Sequence, residues 1–303
     1  MPLPTSIPSS GPSTIYPGDY SGSLNSLVFG PSTNIQLESL DGWRDMTSKP
    51  LGGVMTGAAS SLLPAPMGYQ NGSWPVDYWM DKREVKLVLA VLYNGGDWET
   101  AIEALESATG PTGTGSASLS IQIGGLTTSV TGVVESRILP TNKEYELGLA
   151  RAAITFVAFD PRRMWTPITA TTGLPASSGG LTVPFTVPFS ITSTQTSGRV
   201  NITNPGSVNG PLTIQIFGPC TGPVVTHLQT GLQVAFPPSV SIAAGDSITV
   251  DMEAQTALYN GLASRPVLTP GWFNFYPGVN TIAFTATTGT AATITVTGTP
   301  ASI

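Results

Sequence analysis

Alternation of apolar and polar residues runs through most of this chain, at the two-residue period of a β-strand. In REVKLVLAVLY, Arg83–Tyr93, one face carries Val85, Leu87, Leu89 and Val91. The other carries Lys86 and then Val88, Ala90 and Leu92. An apolar run on both faces predicts a central strand covered on both sides. Strands are also expected at SLVFG near Leu27, at NIQLESL (Asn34–Leu40), and at ASLSIQIGG with Leu119, Ile121 and Ile123 on one face. SVTGVVESRIL and YELGLARAAITFVAF read as two longer antiparallel strands. One stretch changes period. In GGDWETAIEALESATG, Trp98, Ala101, Ile102 and Leu105 recur at helical spacing, Asp97 suits the N-cap, and Gly110-Pro111 end the run. Its apolar stripe must lie on a sheet.

The second half is strand throughout. Val200 and Ile202 in RVNITN point inward, as do Leu212, Ile214 and Ile216 in LTIQIFG. Ile248, Val250 and Met252 follow an AAGD turn, and Ile282 with Phe284 and Ile294 with Val296 continue the pattern. Short strands between Gly, Pro and Asn turns predict a β-sandwich, with threonine supplying its outer face. The aromatics Trp272, Phe273 and Phe275, before Pro277-Gly278, are expected in its core. Residues 1–22, rich in Pro, Ser and Gly, read as an extended arm. Residues 23–166 then form a β-rich domain, barrel-like or sandwich-like, with one helix; 167–180 read as a linker; 181–303 form the sandwich. The fold class expected is mainly β.

Composition narrows the function. Of 303 residues, 10% are charged, against about 25% in ordinary domains. There is no apolar run long enough to span a membrane, and the first residues lack the basic and apolar regions of a secretory signal. Assembly in a cytoplasm is the expectation. Through Thr166 there are 10 basic and 15 acidic residues, a net −5; beyond it Arg199 and Arg265 face Asp246, Asp251 and Glu253, a net −1. No basic patch suggests a tightly held nucleic acid, although a mildly acidic surface suits a passage through which DNA slides. The one cysteine, Cys220, reads as a small buried hydrophobe, and the one histidine, His227, as a strand or loop residue. No metal, cofactor or catalytic constellation is expected. Asp246, Asp251 and Glu253 could be offered as paired glycosidase carboxylates, but Asp246 reads more simply as a loop cap and the other two as outward-facing strand residues.

The order of the segments is more specific than any one of them. AAITFVAFDPRRMW closes the first half. VNITNPGSVNGPLTIQIFGP, AAGDSITVDMEAQTALYNG and WFNFYPGVNTIAFTA follow in the second. This order, from about Ser26 to Val296, resembles the distal tail proteins of siphovirus-type bacteriophages, often labelled minor tail proteins. The resemblance implies a virion protein of the tail tip: a hexameric ring whose first domains form a belt continuing the tail tube, with DNA in transit through its centre. It further implies a galectin-like second domain, and as partners the tail tube protein, the tail hub or tail-associated protein, the tape measure protein and other minor tail or receptor-binding proteins. Low charge suits the large apolar interfaces of such an assembly.

Two other readings compete. A carbohydrate-binding protein with two β domains would use Trp74 and Trp79 in NGSWPVDYW. An enzyme would use the three acids just named, and is not expected. For the ring, the candidate contacts are Tyr16 and Tyr20 in the arm, Met55 and Met67 around the next loop, Trp74 and Trp79, and the pair Arg162 and Arg163 after Asp160-Pro161.

Overall fold

Two units divide the chain, Met1–Arg163 together with Ile303, and Met164–Ser302. The computed structural model describes residues 20–45, 48–51, 77–93, 98–110, 116–178, 194–289 and 291–303. It is mainly β, in several antiparallel sheets.

The first unit is built from β1 (Ser21–Leu24), β2 (Leu27–Phe29), β3 (Ile35–Asp41), β4 (Ser48–Leu51), β5 (Asp77–Met80) and β6 (Arg83–Leu92). Helix α1 (Trp98–Ala108) follows, then β7 (Ala117–Ile123), β8 (Leu126–Ile138), α2 (Lys143–Glu146) and β9 (Leu149–Ala158). Seven strands hydrogen-bond in the order β2-β1-β7-β8-β9-β6-β3, and β4 pairs with β5 apart from them. Strand β6 is central, as its pattern predicts. Its inward face, Val85, Leu87, Leu89 and Val91, is buried with Leu24, Phe29, Leu119, Ile121, Ile154 and Phe156. Its other face is covered less than the alternation suggests: Ala90 is buried, but Glu84 and Lys86 are exposed and pair at 3.4 Å. Helix α1 lies on the sheet through Ile102, Leu105 and Ala108, with Trp98 and Ala101 half-buried beside them.

Gly124 and Gly125, at φ +60° and +81°, make the tight turn from β7 to β8; a β-carbon is strained in that conformation. The sheet curls so that its edge strands β2 and β3, consecutive in the chain, meet where the Gly30 N–H donates to the Ile35 carbonyl. The short α2 was not legible in the strand pattern. Asn142 caps it by accepting from the Glu144 and Tyr145 N–H groups, and Tyr145 meets Trp98 edge-on at 5.5 Å.

A two-residue strand, β10 (Arg163–Met164), marks the boundary. The second unit holds β11 (Ile168–Gly173), β12 (Ala176–Ser178), β13 (Thr194–Thr196), β14 (Arg199–Asn204), β15 (Leu212–Phe217), β16 (Cys220–His227), β17 (Gln233–Ala235) and β18 (Ser241–Ile242). After them come β19 (Ser247–Asp251), β20 (Thr256–Tyr259), β21 (Ala263–Ser264), β22 (Thr269–Pro270), β23 (Gly278–Thr288), β24 (Thr293–Gly298) and β25 (Ala301–Ser302). One sheet runs β11-β24-β15-β19-β20-β21 and the other β14-β23-β16-β17-β22, with β18 on β16. Between them lie Ile202, Leu212, Ile214, Ile216, Ile248, Val250, Met252, Ile282, Phe284, Ile294 and Val296, the inward residues the alternation picks out. Phe273 and Phe275 are buried in the same core, and Trp272 packs against it.

The stretch 167–180 corrects the sequence reading. Its Thr, Pro and Gly composition suggests a linker, yet Ile168–Gly173 is an edge strand of the sandwich, in register with Gly298–Thr293. Threonine has high strand propensity once a partner strand is present, and only the fold supplies that partner.

Candidate assembly surfaces

In the second unit, the motifs that gave the chain its resemblance are scaffolding. Asn204, in the ITNPG stretch, is buried at the end of β14. Its Nδ2 donates to the Phe275 carbonyl at 2.8 Å and the Val208 carbonyl at 3.1 Å, and its Oδ1 accepts from the Gly206 N–H at 2.8 Å. Asn280, in YPGVN, does the same for the turn before β23. Its Nδ2 donates to the Tyr276 and Gly278 carbonyls, and its Oδ1 accepts from the Tyr276 N–H. Each amide thus bonds three backbone groups, the Phe275 carbonyl taking a second bond from the Gly210 N–H.

His227 joins this network. It is 1% exposed, with Nε2 at 3.1 Å from Asn280 Oδ1 and Nδ1 at 2.8 Å from Thr230 Oγ1. Phe273 stacks on it and Tyr276 tilts against it. Burial holds its pKa below the ordinary 6.5, opposed by the Asn280 bond. A histidine so enclosed is not placed to meet a ligand from solvent. Cys220 is buried as expected, and burial pushes its thiol pKa up.

The three acids once weighed as catalytic have structural partners. Asp251, not Asp246, caps a turn, accepting from the Glu253 and Ala254 N–H groups. Asp246 instead takes hydrogen bonds from the Tyr259 hydroxyl and the Asn260 amide, tying β19 to the end of β20. Those bonds hold its carboxyl pKa below the usual value. Among the described residues no group of His, Cys, Asp and Glu is arranged to hold a metal ion.

In the first unit, the inward face of β6 begins with a charge. Arg83 is 4% exposed and, among the described residues, donates to backbone: Nε to the Pro161 carbonyl, Nη1 to those of Gly42, Trp43 and Asp45, all within 3.1 Å. One guanidinium thus gathers the loop after β3 and the bend after β9. Burial and then the nearby Arg163 lower its pKa. Gly42 fits here because it sits at φ +75° with the Glu84 carbonyl oxygen 2.0 Å from where a β-carbon would be. Beside the clasp lies a cavity of about 290 Å³ lined by charges of both signs, Asp41, Asp45, Asp81, Lys82, Glu84 and Lys86 among them.

Of the contact residues proposed from sequence, Tyr16, Met55, Met67 and Trp74 lie outside the described residues. Trp79 falls in β5, opposite Lys49 of β4. Tyr20 lines a second cavity of about 170 Å³ with Leu40, Trp43, Arg44 and Ile123. Arg162 closes on Asp160, at 2.7 Å between Nη2 and Oδ2. Arg163 donates to the Ile303 carbonyl at 2.8 Å.

Sequence reasoning missed a different set. In the first unit Val28 on the edge strand β2 is 60% exposed, Phe159 after β9 is 71% exposed, and Tyr93, Ile138 and Leu147 are also exposed. In the second unit Leu228, Leu232, Leu262, Leu268 and Val279 are exposed. Nothing marks these in the sequence, because an apolar residue at a strand end reads as one more core position.

These sandwich motifs have a family counterpart. Residues 205–299 match the family model of the siphovirus-type tail component, C-terminal domain. The matched residues lie within the second unit. The resemblance to distal tail proteins drawn from the sequence holds on this independent comparison. No curated protein sequence matches the chain. In fold, the chain is similar to the SPP1 Dit (gp 19.1) protein, described as a paradigm of the hub adsorption apparatus in phages infecting Gram-positive hosts. That likeness has a TM-score of 0.57 and 14% identity, over 92% of this chain and 98% of that one. A chain of the phage P2 baseplate, in its activated conformation with Ca, matches at a TM-score of 0.47 and 10% identity, over 92% of this chain and 97% of that one.

Proposed function

We propose that this protein is a structural component of the siphovirus tail tip. Copies of it close a ring of six that joins the tail tube to the baseplate, and DNA leaves through the opening. Residues 23–166 form the belt of the ring and the sandwich holds further tail-tip proteins. It is made in the host cytoplasm and ends in the virion.

The observation that carries this reading is the family match across 205–299, in the domain whose buried Asn204 and Asn280 build its characteristic loops. The fold shared with SPP1 Dit over both units supports it. So does the chemistry of the surface: with 10% charged residues and isolated exposed apolar side chains such as Phe159, burial against further copies removes apolar area from water at little electrostatic cost.

Negative-stain microscopy of the purified chain, paired with its mass in solution, tests the proposal. Six-fold rings with an open centre are expected, together with labelling of the tail tip by an antibody to this chain. A chain that stays monomeric at assembly concentrations, in virions whose tail ring is made of another protein, would refute it.

A further inference from the structure

Two neighbouring loops of the second unit are tied at one buried point. The loop 228–232 between β16 and β17 and the turn 276–280 before β23 both close on His227. Asn280 fixes the chemistry of the contact. Its Nδ2 donates to the Tyr276 and Gly278 carbonyls, so its Oδ1 faces the imidazole and can only accept. His227 therefore carries its proton on Nε2. In the neutral ring Nδ1 is then bare, and the Thr230 hydroxyl donates to it. The loop is tied to β23 a second time by Gln229, which bonds the Val279 carbonyl and Thr281. Leu228, Leu232 and Val279, three of the exposed apolar residues, sit on these tied segments.

Among the described residues no charge is placed to compensate a proton on this ring. Between Val200 and Gly245, and from Pro266 to Ile303, the sequence has no Asp, Glu, Lys or Arg. Tyr276 is the titratable group in ring contact. On β14, next to β23, Arg199 is exposed and registers with Ala283. The facing sheet turns Leu212, Ile214, Ile248, Val250, Ile294 and Val296 inward; of its acids, Asp251 caps its own turn and Asp246 is bonded by Tyr259 and Asn260. An imidazolium here would be a buried cation without a counter-ion.

We infer that His227 is a proton-operated latch: neutral, it fastens the 228–232 loop to the 276–280 turn, and in mild acid its charge loosens both and rearranges the apolar surface they carry. This goes beyond the tail-tip reading and does not depend on ring formation. The folded protein holds the proton less tightly than the unfolded chain, so stability present at neutral pH is lost as pH falls below 6.5.

Hydrogen exchange of the full chain, read by mass spectrometry at pH 7.5, 6.5 and 5.5 and corrected for intrinsic rates, tests it whether or not rings form. The chain has one histidine and this window lies above the carboxylate range, so the readout is specific. Protection of 228–232 and 276–280 is expected to fall by up to about tenfold per pH unit below 6.5, and His227→Gln to abolish that dependence. Should that variant fail to fold, Asn280→Asp supplies the missing counter-charge: its loops are expected to be less protected overall but to gain protection toward pH 5.5. Wild-type protection that does not change over this range, or an Asn280→Asp slope of the same sign as wild type, would overturn the latch.

Discussion

Asn204 shows how one side chain can hold a loop together. Three hydrogen bonds radiate from it, two to carbonyls, and it is 1% exposed. Asn204→Ala removes the amide partner of the Val208 carbonyl and the Gly206 N–H, while the Phe275 carbonyl keeps the Gly210 N–H, so the second unit should lose about 2 kcal/mol, within the range for lost buried hydrogen bonds. Urea unfolding followed by tryptophan fluorescence measures it; a loss under about 1 kcal/mol would mean the loop closes without the amide. Arg83 plays the corresponding part in the first unit. Because its planar fork reaches four carbonyls, Arg83→Lys should not be conservative. The lysine variant is expected to speed exchange of the amides at 42–45 at least about tenfold, a loss of about 1.4 kcal/mol or more locally. Neither role could be read from sequence: Asn204 reads as a turn residue and Arg83 as the polar start of a strand, and the groups that satisfy them lie up to 78 residues away.

At the scale of elements, the hairpin β19–β20 concentrates much of the second unit's charge. Arg265 lies 4.5 Å from the Tyr259 ring centre, and Tyr259 and Asn260 bond Asp246. Those bonds favour the carboxylate, and Asp246 is depressed below 3.8. The stabilisation is therefore complete above that value and lost as pH falls through it. In an acid titration of unfolding midpoints, wild type should lose stability more steeply below about pH 4 than Asp246→Asn does; equal slopes would show that the tyrosine bond is not formed in solution. This window is separate from that of His227, so the two titrations are distinguishable. Most strands and α1 were legible because a strand with one buried face must alternate and a helix on a sheet must repeat every three to four residues. β11 was not, because an exposed edge strand needs only one paired side and leaves little apolar trace.

For the whole molecule, the proposed ring would draw on surface that folding leaves uncovered. Val28 lies on an edge strand and Phe159 follows β9, both more than half exposed. Val28→Ser with Phe159→Ser should leave the unfolding midpoint of the chain nearly unchanged, since both side chains already face water, while weakening the proposed ring at least about tenfold in a dilution series followed by light scattering, or about 0.7 kcal/mol per residue. Rings as stable as wild type would place the interface elsewhere on the first unit. Low charge lowers the cost of covering such a surface but does not say which part, because a strand residue's neighbours come from distant segments.

The sequence alone determined the β character, the inward residues of both sheets, the single long helix and the order of motifs that links the chain to distal tail proteins. These are local or linear properties, set by periodicity and by turn residues. Tertiary structure decided the rest: that a linker-like stretch is an edge strand, that Asp251 rather than Asp246 caps its turn, that Arg83 clasps a loop, and that His227 is enclosed by Asn280, Thr230 and two aromatic rings. Each depends on which backbone groups and rings meet across long stretches of chain, and burial, not residue type, sets what those meetings are worth.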